Sequence, residues 1–412
     1  MTSKCRPRVL MVTATLGYGG AESSFQRLAD FLGKHNDVTI ALMAQNYGST
    51  DYSNQQSSTT HRVILLDETN TNRPKLLRKM LRWRRMLMRL RSLKSEHDVT
   101  ISFLSGPNLL NAFAGMPHAS IVSERGSKLY HTGIPPLRKF LWLRILDPMI
   151  YRRAAKIVPA SVGYALEIAQ IAGASQKMKI FPIEGGIDSE SLLDNAEATP
   201  DPDILRFCQG PTAVYCGRLD GGKGIDLLLP AFARVNAAQP DARLLLIGDG
   251  PLGKEITAQC KALGLSVTND GDPSAAVFMA GYRDKPIRHF RLCQLFLFPS
   301  LHEGLGNALI EGVASGISVL AADCQWGPRS ILSGPTDELP TVWPVHKPVK
   351  LTYGTLMPLP DTALAIDLWS VEIARALTAP FSDRTDRRMA VERYDIERTG
   401  QSWLELINDV VL

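Results

Sequence analysis

The stretch FPSLHEGLGNALIEG, residues 298–312, decides how this chain is read. An apolar run, Leu295–Pro299, ends at a proline. Gly304 and Gly306 then permit a sharp turn, and from Asn307 the apolar spacing becomes helical. Strand, glycine-rich loop and helix in that order form the repeating unit of a parallel α/β sheet, whose ligands bind at the carboxyl ends of the strands. Glu303 falls in the loop. Glu311 falls about one turn into the helix, near its positive end, with seven residues between the two carboxylates. Such carboxylates accept hydrogen bonds from sugar or ribose hydroxyls, and the backbone N–H groups of Leu305, Gly306 and Asn307 add donors. An isolated pair of glutamates would read as solvated surface; at this junction the ligand-binding reading is the stronger one.

The same alternation extends in both directions. Nearly continuous apolar runs at Arg8–Thr15, Val38–Met43, Val63–Leu66, Val99–Phe103, Ala119–Ser123 and Ile157–Ala160 read as buried parallel strands, with helical patterns such as Ala21–Leu32 and Leu137–Arg153 between them. A polar, proline-containing stretch, Asp188–Pro211, separates these from a second series at Thr212–Cys216, Arg243–Ile247, Val277–Ala280, Leu295–Pro299 and Ser318–Ala322. Two series imply an α/β chain of two Rossmann-like parallel-sheet domains facing each other across a cleft. The expected limits are 1–190 and 191–395, with an amphipathic helix at 396–412 packing back on the first domain. A length of 412 residues fits two hydrophobic cores.

Other strand ends carry candidate site residues. Leu16–Glu22 (LGYGGAE) places Gly19 and Gly20 where a helix begins, so an anion is one expected ligand and an empty tight turn the other reading. It is not a GxGxxG fingerprint, which argues against a dinucleotide cofactor. Arg218 and Lys223 flank the turn after Thr212–Cys216 and pair a guanidinium with an ammonium, a combination suited to a diphosphate. Gly248, in Gly248-Asp249-Gly250-Pro251, repeats the logic after the next strand, although a turn without ligand explains it as well.

Composition excludes several classes. Apolar residues make up 45% and charged residues 21%, so collagen-like, disordered and disulfide-scaffold chains are ruled out. The six scattered cysteines show no metal-ligand spacing and suggest free thiols in a reducing cytosol. No apolar run reaches the ~20 residues of a spanning helix, and MTSKCRPRVLMVTATLG, which lacks a long apolar region and a cleavage site, is not expected to act as a signal peptide. A cytoplasmic protein, peripheral on the inner face of the plasma membrane, is therefore the expected setting. Lys75–Lys94 holds nine basic residues and no acid, and setting those nine aside turns the formal net charge of +5 into −4. Leu76, Met80, Trp83, Leu87 and Leu90 recur there at helical spacing. A basic amphipathic helix with a tryptophan suits an anionic membrane surface; a domain helix with a core-facing stripe is the alternative. No recognition fold accompanies it, so nucleic acid is not an expected partner.

With GGAE at Gly19–Glu22, GRLD and KG at Gly217–Gly224, IGDGP at Ile247–Pro251, FPSLHEGLGNALIEG and Gly327-Pro328-Arg329, the chain resembles retaining glycosyltransferases of family 4, with the two-domain GT-B architecture. The resemblance implies a nucleotide-sugar donor, UDP-linked, and a glycan or lipid-linked glycan acceptor, with no resident cofactor and no required metal. Arg218 and Lys223 would hold the donor diphosphate, Glu311 the ribose and Glu303 the sugar, while Gly19 and Gly20 would line the cleft. Ser123-Glu124-Arg125-Gly126 resembles a segment of relatives that elongate lipid-linked or capsular sugars, and implies an acceptor or phosphate contact for Arg125; a surface ion pair is the other reading. Two departures stand out: Gly327-Pro328-Arg329-Ser330 where relatives carry Gly-Pro-x-Glu, and Glu184-Gly185-Gly186-Ile187-Asp188 where they carry Asn-Gly-Val-Asp. A non-catalytic sugar-nucleotide-binding or scaffold subunit is the competing function.

Overall fold

The computed structural model describes residues 6–17, 19–44, 61–67, 75–131, 133–379 and 387–411. Tyr18 and the polar loop expected at Asp51–His61, apart from His61, lie outside them. So do the side chains of 75–78. The chain divides into two compact units: 1–129, 134–188 and 394–412 form the first, and 130–133 with 189–393 form the second.

The first unit holds a six-stranded parallel sheet of β1 (Arg8–Thr13), β2 (Asp37–Leu42), β3 (Arg62–Leu65), β4 (Val99–Phe103), β5 (Ser120–Glu124) and β6 (Lys156–Pro159), in the order β3-β2-β1-β4-β5-β6. Strand order reverses between β1 and β4. Right-handed crossovers then place different helices on the two faces. The helices Gly20–His35 and Ile396–Val411 cover one face through Phe25, Phe31, Trp403 and Ile407, while Lys75–Ser95 and Ser105–Phe113 cover the other through Met86, Leu90, Leu93 and Leu110. The returning chain is fixed by backbone: Gly186 and Ile187 N–H groups donate to Tyr394 O at 2.9 and 3.0 Å. Gly185, at φ +96°, leaves room for the Tyr394 backbone, which accounts for a glycine at the position where Asn-Gly-Val-Asp carries asparagine.

Two helical expectations are refined. Leu137–Arg153 is helical but not uniform: Pro136–Leu141 and Asp147–Arg153 are α-helices joined by a π-helical turn, Trp142–Leu146. Pro148 has no N–H and its ring crowds the carbonyl four residues back, so a widened turn just before it is the local solution. In Lys75–Ser95, Leu90 and Met86 are buried and Trp83 and Leu87 pack on the core, so most of the described stripe belongs to the sheet. The polar stretch 188–211 is not plain linker. It contains the helices Ser189–Glu197 and Pro202–Phe207, the latter opened by Pro202 in its first turn.

The first unit also buries charge. Lys128 Nζ lies 2.9 Å from Asp147 Oδ1 and 3.1 Å from Glu124 Oε2, and Lys94 Nζ donates to Asn111 Oδ1 at 2.8 Å and Ser120 Oγ at 2.6 Å, with no carboxylate partner among the described residues. Burial pushes Asp147 up from 3.8 to about 7, with Lys128 opposing and Glu124 adding to the rise. Burial pushes Lys94 down from 10.5 to about 7. From the ordinary aspartate range up to pH 7 folded Asp147 holds a proton that the unfolded chain has released, so its contribution to stability falls as pH rises. His289 and His302, both lowered by burial from 6.5 to about 4, oppose it over the acid part of that range. Above pH 7 folded Lys94 has released a proton that the unfolded chain keeps, so its contribution to stability rises towards the ordinary lysine range. Relative to wild type, Lys94→Met is expected to lose the Lys94 part of the rise in urea-unfolding stability between pH 7 and the ordinary lysine range.

The second unit holds β7 (Thr212–Cys216), β8 (Arg243–Ile247), β9 (Val267–Thr268), β10 (Val277–Gly281), β11 (Leu295–Phe298), β12 (Ser318–Ala322), β13 (Val349–Leu351) and β14 (Gly354–Met357), in the order β13-β14-β12-β11-β7-β8-β10-β9. All neighbours are parallel except the β13–β14 hairpin. The helices Ile225–Ala238 and Ala363–Thr378 pack on one face around Phe232 and Trp369. Pro230 sits inside the first of these and cannot donate to Asp226 O, four residues back; Gln259 Nε2 donates to that carbonyl instead, at 2.9 Å. Strand order reverses between β7 and β11, so the loops after these two strands meet at the switch point where parallel sheets bind ligands.

Candidate active site

The loop after β7 is held against the loop after β8 by backbone hydrogen bonds. Gly217 N–H donates to Ile247 O at 3.0 Å, Leu219 N–H to Asp249 O at 2.9 Å and Leu252 N–H to Leu219 O at 3.0 Å. Gly248, at φ +132°, has no room for a side chain because a Cβ would overlap Gly217 O. Within the β7 loop Asp220 acts as the organiser. Its Oδ2 accepts from Arg218 Nε at 2.5 Å, its Oδ1 accepts from Gly222 N at 2.9 Å, and its carbonyl accepts from Lys223 N at 3.0 Å. Arg218 remains 68% exposed and presents the rest of its guanidinium outward.

Lys223 reaches across to the β11 loop, where its Nζ lies 2.7 Å from Glu303 Oε1. Burial disfavours the ammonium, but Glu303 and Asp220 outweigh it and hold Lys223 above the ordinary lysine value, firmly charged. Glu303 is itself fixed along its backbone: its N–H donates to Gln325 O at 2.8 Å and its carbonyl accepts from Trp326 N at 3.1 Å. The loop turns into the helix Asn307–Ala314 at Gly306, where φ is +106°. Glu311 stands one turn inside that helix. Its charge reaches the Cys216 thiol at the end of β7, which burial first and Glu311 second push well above the usual thiol range. Arg218, Lys223, Gly248, Glu303, Gly304, Leu305, Gly306, Asn307 and Glu311 are thus gathered at the carboxyl edge of one sheet, around β7 and β11. The set couples cations suited to phosphate oxygens with carboxylates suited to hydroxyls.

Residues 210–348 match the family model described as Glycosyl transferases group 1. Across nearly the whole chain, the structure aligns with Anabaena HepE solved with UDP and glucose, at a TM-score of 0.71 and 18% identity, covering 98% of this chain and 100% of that one. The chain has the GT-B fold. Among curated relatives of this GT-B chain is the Campylobacter jejuni N-acetylgalactosamine-N,N'-diacetylbacillosaminyl-diphospho-undecaprenol 4-alpha-N-acetylgalactosaminyltransferase, 30% identical over 191 residues, 46% of this chain and 47% of that one. The chain thus spans about half the length of that relative. A second Campylobacter jejuni protein, an alpha-1,4-N-acetyl-D-galactosaminyltransferase named for a GalNAc-containing diNAcBac-PP-undecaprenol, is 22% identical and covers 98% of this chain and 99% of its own.

In the first GT-B unit, Gly19 caps the helix Gly20–His35 at the end of β1, and Arg125 follows β5. Arg125 is not the surface ion pair that its neighbour Glu124 suggested, because Glu124 is committed to buried Lys128. The Arg125 guanidinium stacks on the Phe103 ring at 5.2 Å, and burial together with nearby Arg27 lowers it to about 10. It has no carboxylate partner among the described residues.

Three second-unit residues with site roles are not singled out by sequence reasoning. Asp220 lies two positions from Arg218 inside a motif read for its cations. Gln325 carries the backbone brace of Glu303. His302 has a buried Nε2 without a partner among the described residues, and burial with His131 above it, 4.5 Å between ring centroids, lowers it to about 4. At the Gly327-Pro328-Arg329-Ser330 departure, Ser330, in place of the relatives' Glu, donates its Oγ to Gly327 O at 2.9 Å, and the adjacent Arg329 guanidinium grips both Asp323 carboxylate oxygens at 2.7 Å.

Proposed function

We propose that the chain is a retaining, metal-independent glycosyltransferase of family 4 that moves a hexose or N-acetylhexosamine from a UDP-sugar to a lipid-linked glycan. The observation that carries this reading is the Lys223–Glu303 pair at 2.7 Å, beside the N-terminus of the helix Asn307–Ala314. A cation that stays charged and a helix N-terminus suit a leaving diphosphate. Glu303 Oε1 is engaged by Lys223, which leaves Oε2 to accept from a donor sugar hydroxyl, and Glu311 would accept from the ribose. UDP in the HepE structure and undecaprenol-linked substrates in the names of the Campylobacter relatives point to the same chemistry.

In the reaction, the bond between the sugar's anomeric carbon and the diphosphate oxygen breaks, with its electron pair leaving on the diphosphate. The acceptor hydroxyl oxygen bonds to that carbon from the same face, and its proton passes to a phosphate oxygen. Lys223 and Arg218 stabilise the charge as it develops. Arg125 of the first unit would meet the acceptor's phosphate.

Incubation with a panel of nucleotide sugars and an undecaprenyl-diphosphate-linked acceptor tests the proposal. Transfer with inversion, or a rate lost in EDTA, would overturn its stereochemical or metal-independent part, and donor binding without any product would favour a non-catalytic subunit. Arg125→Met is expected to raise KM for the phosphorylated acceptor about tenfold and leave donor KM unchanged, since one charge-assisted contact contributes about 1.5–3 kcal/mol.

A further inference from the structure

Segment 136–153, between β5 and β6, leaves a row of apolar side chains in the open. Leu137 is 81% exposed, Phe140 59%, Leu141 43%, Ile145 44% and Met149 38%. Single exposed apolar residues are ordinary on a protein surface, but a contiguous row is not. Positions 137, 141, 145 and 149 are four apart. An α-helix carries such a series round by about 40° per step, and the wider π turn at Trp142–Leu146 takes part of that rotation back, so the row keeps to one side.

Charge around the row is one-sided. Arg138, Arg144, Arg152 and Arg153 are exposed, whereas the segment's one acid, Asp147, is buried on Lys128. The helix Ser105–Phe113 packs against both this segment and Lys75–Ser95, where Lys79, Met80, Arg84, Met88 and Arg91 are also exposed. Lys75–Ser95, whose spacing suggested a membrane helix, spends most of its described apolar stripe on the core. The free apolar row lies on the other segment.

We infer that this face docks on a bilayer surface rich in anionic phospholipid, with Leu137, Phe140, Leu141, Ile145 and Met149 entering the headgroup boundary and the arginines meeting lipid phosphates. An apolar row flanked by cations without an exposed acid is the composition that interfacial helices use. A protein partner would cover the row equally well, but would need a matching acidic surface; an anionic bilayer supplies one at any orientation about its normal. The inference does not depend on the transferase reading.

Flotation of the full chain with phosphatidylcholine vesicles, with and without phosphatidylglycerol, tests it. Binding is expected with phosphatidylglycerol and to fall at least tenfold in Leu137→Ser/Phe140→Ser/Leu141→Ser. All three positions are exposed, so the thermal melt should stay at that of the wild type. Arg138→Gln/Arg144→Gln should weaken the preference for phosphatidylglycerol while keeping the melt. No wild-type binding to either vesicle, or undiminished binding by the serine variant, would overturn the inference. A serine variant that loses a dimer by light scattering yet floats normally would also overturn it, and would assign the row to a contact between copies of the chain.

Discussion

Lys223→Met is expected to lower kcat by about 10²–10³, the range for removing one preorganised group from a developing anion. In the proposed transition state the leaving diphosphate gathers charge where Lys223, held above its ordinary pKa by Glu303 and Asp220, already stands. Methionine preserves most of the stem's packing and removes the charge. It also strands Glu303, whose side chain is only 10% exposed, without its cation, and an unsatisfied buried carboxylate costs about 1–3 kcal/mol or more. Stability and turnover separate in the double variant Lys223→Met/Glu303→Gln, where the stranded charge is gone. There the melt should recover and the rate should not. Recovery of the rate along with the melt would move Lys223 from catalysis to scaffolding. Arg218→Ala should be milder in stability, since its side chain is 68% exposed, but should still slow turnover.

This site is legible in the sequence to an uneven degree, for physical reasons. β7, β8, β11 and β12 read clearly because both faces of a parallel strand are buried and the strand is written as an unbroken apolar run. Glu303 and Glu311 read clearly because the change from strand to glycine loop to helix happens between Phe298 and Asn307. The partnership of Lys223 with Glu303 does not: 80 positions separate them, and only the reversal of strand order between β7 and β11 brings their loops together. Asp220 is masked by proximity to the cations it organises. The short edge strands β13 and β14 contain Lys350 and Gly354 and lack the apolar continuity of central strands, so their residues resemble loop. In Lys75–Ser95 the amphipathic pattern is visible, but periodicity does not say whether a stripe faces a sheet or a membrane. Burial of Met86 and Leu90 answers for that helix, and exposure of Leu137 and Phe140 raises the question again in a segment whose Pro148 had obscured its pattern.

Gly327→Ala is the other substitution expected to act strongly, although residue 327 lies outside the family-like carboxylate motif. Its φ of +114° is strained for any residue with a Cβ, and a Cβ built there would overlap the Leu305 carbonyl. Two other glycines divide these effects. Gly221 has neither a positive φ nor any atom within 4 Å of its Cβ direction, and Gly264 has φ +78° with open space around it. Gly221→Ala should therefore be near neutral, and Gly264→Ala should cost about 1 kcal/mol for backbone strain alone. Gly327→Ala should cost about 3 kcal/mol or more, because the collision is with backbone that has no rotamer to change. The part that gives way is the loop from Glu303 to Gly306, pinned on one side by Gln325 and Trp326 and on the other by the start of the helix Asn307–Ala314. Nucleotide-sugar affinity should fall with it, measured by calorimetry at a temperature where the variant is still folded. If Gly327→Ala instead melts and binds like Gly264→Ala, the loop yields without moving Glu303, and the positioning of that carboxylate rests on Lys223 rather than on the backbone brace.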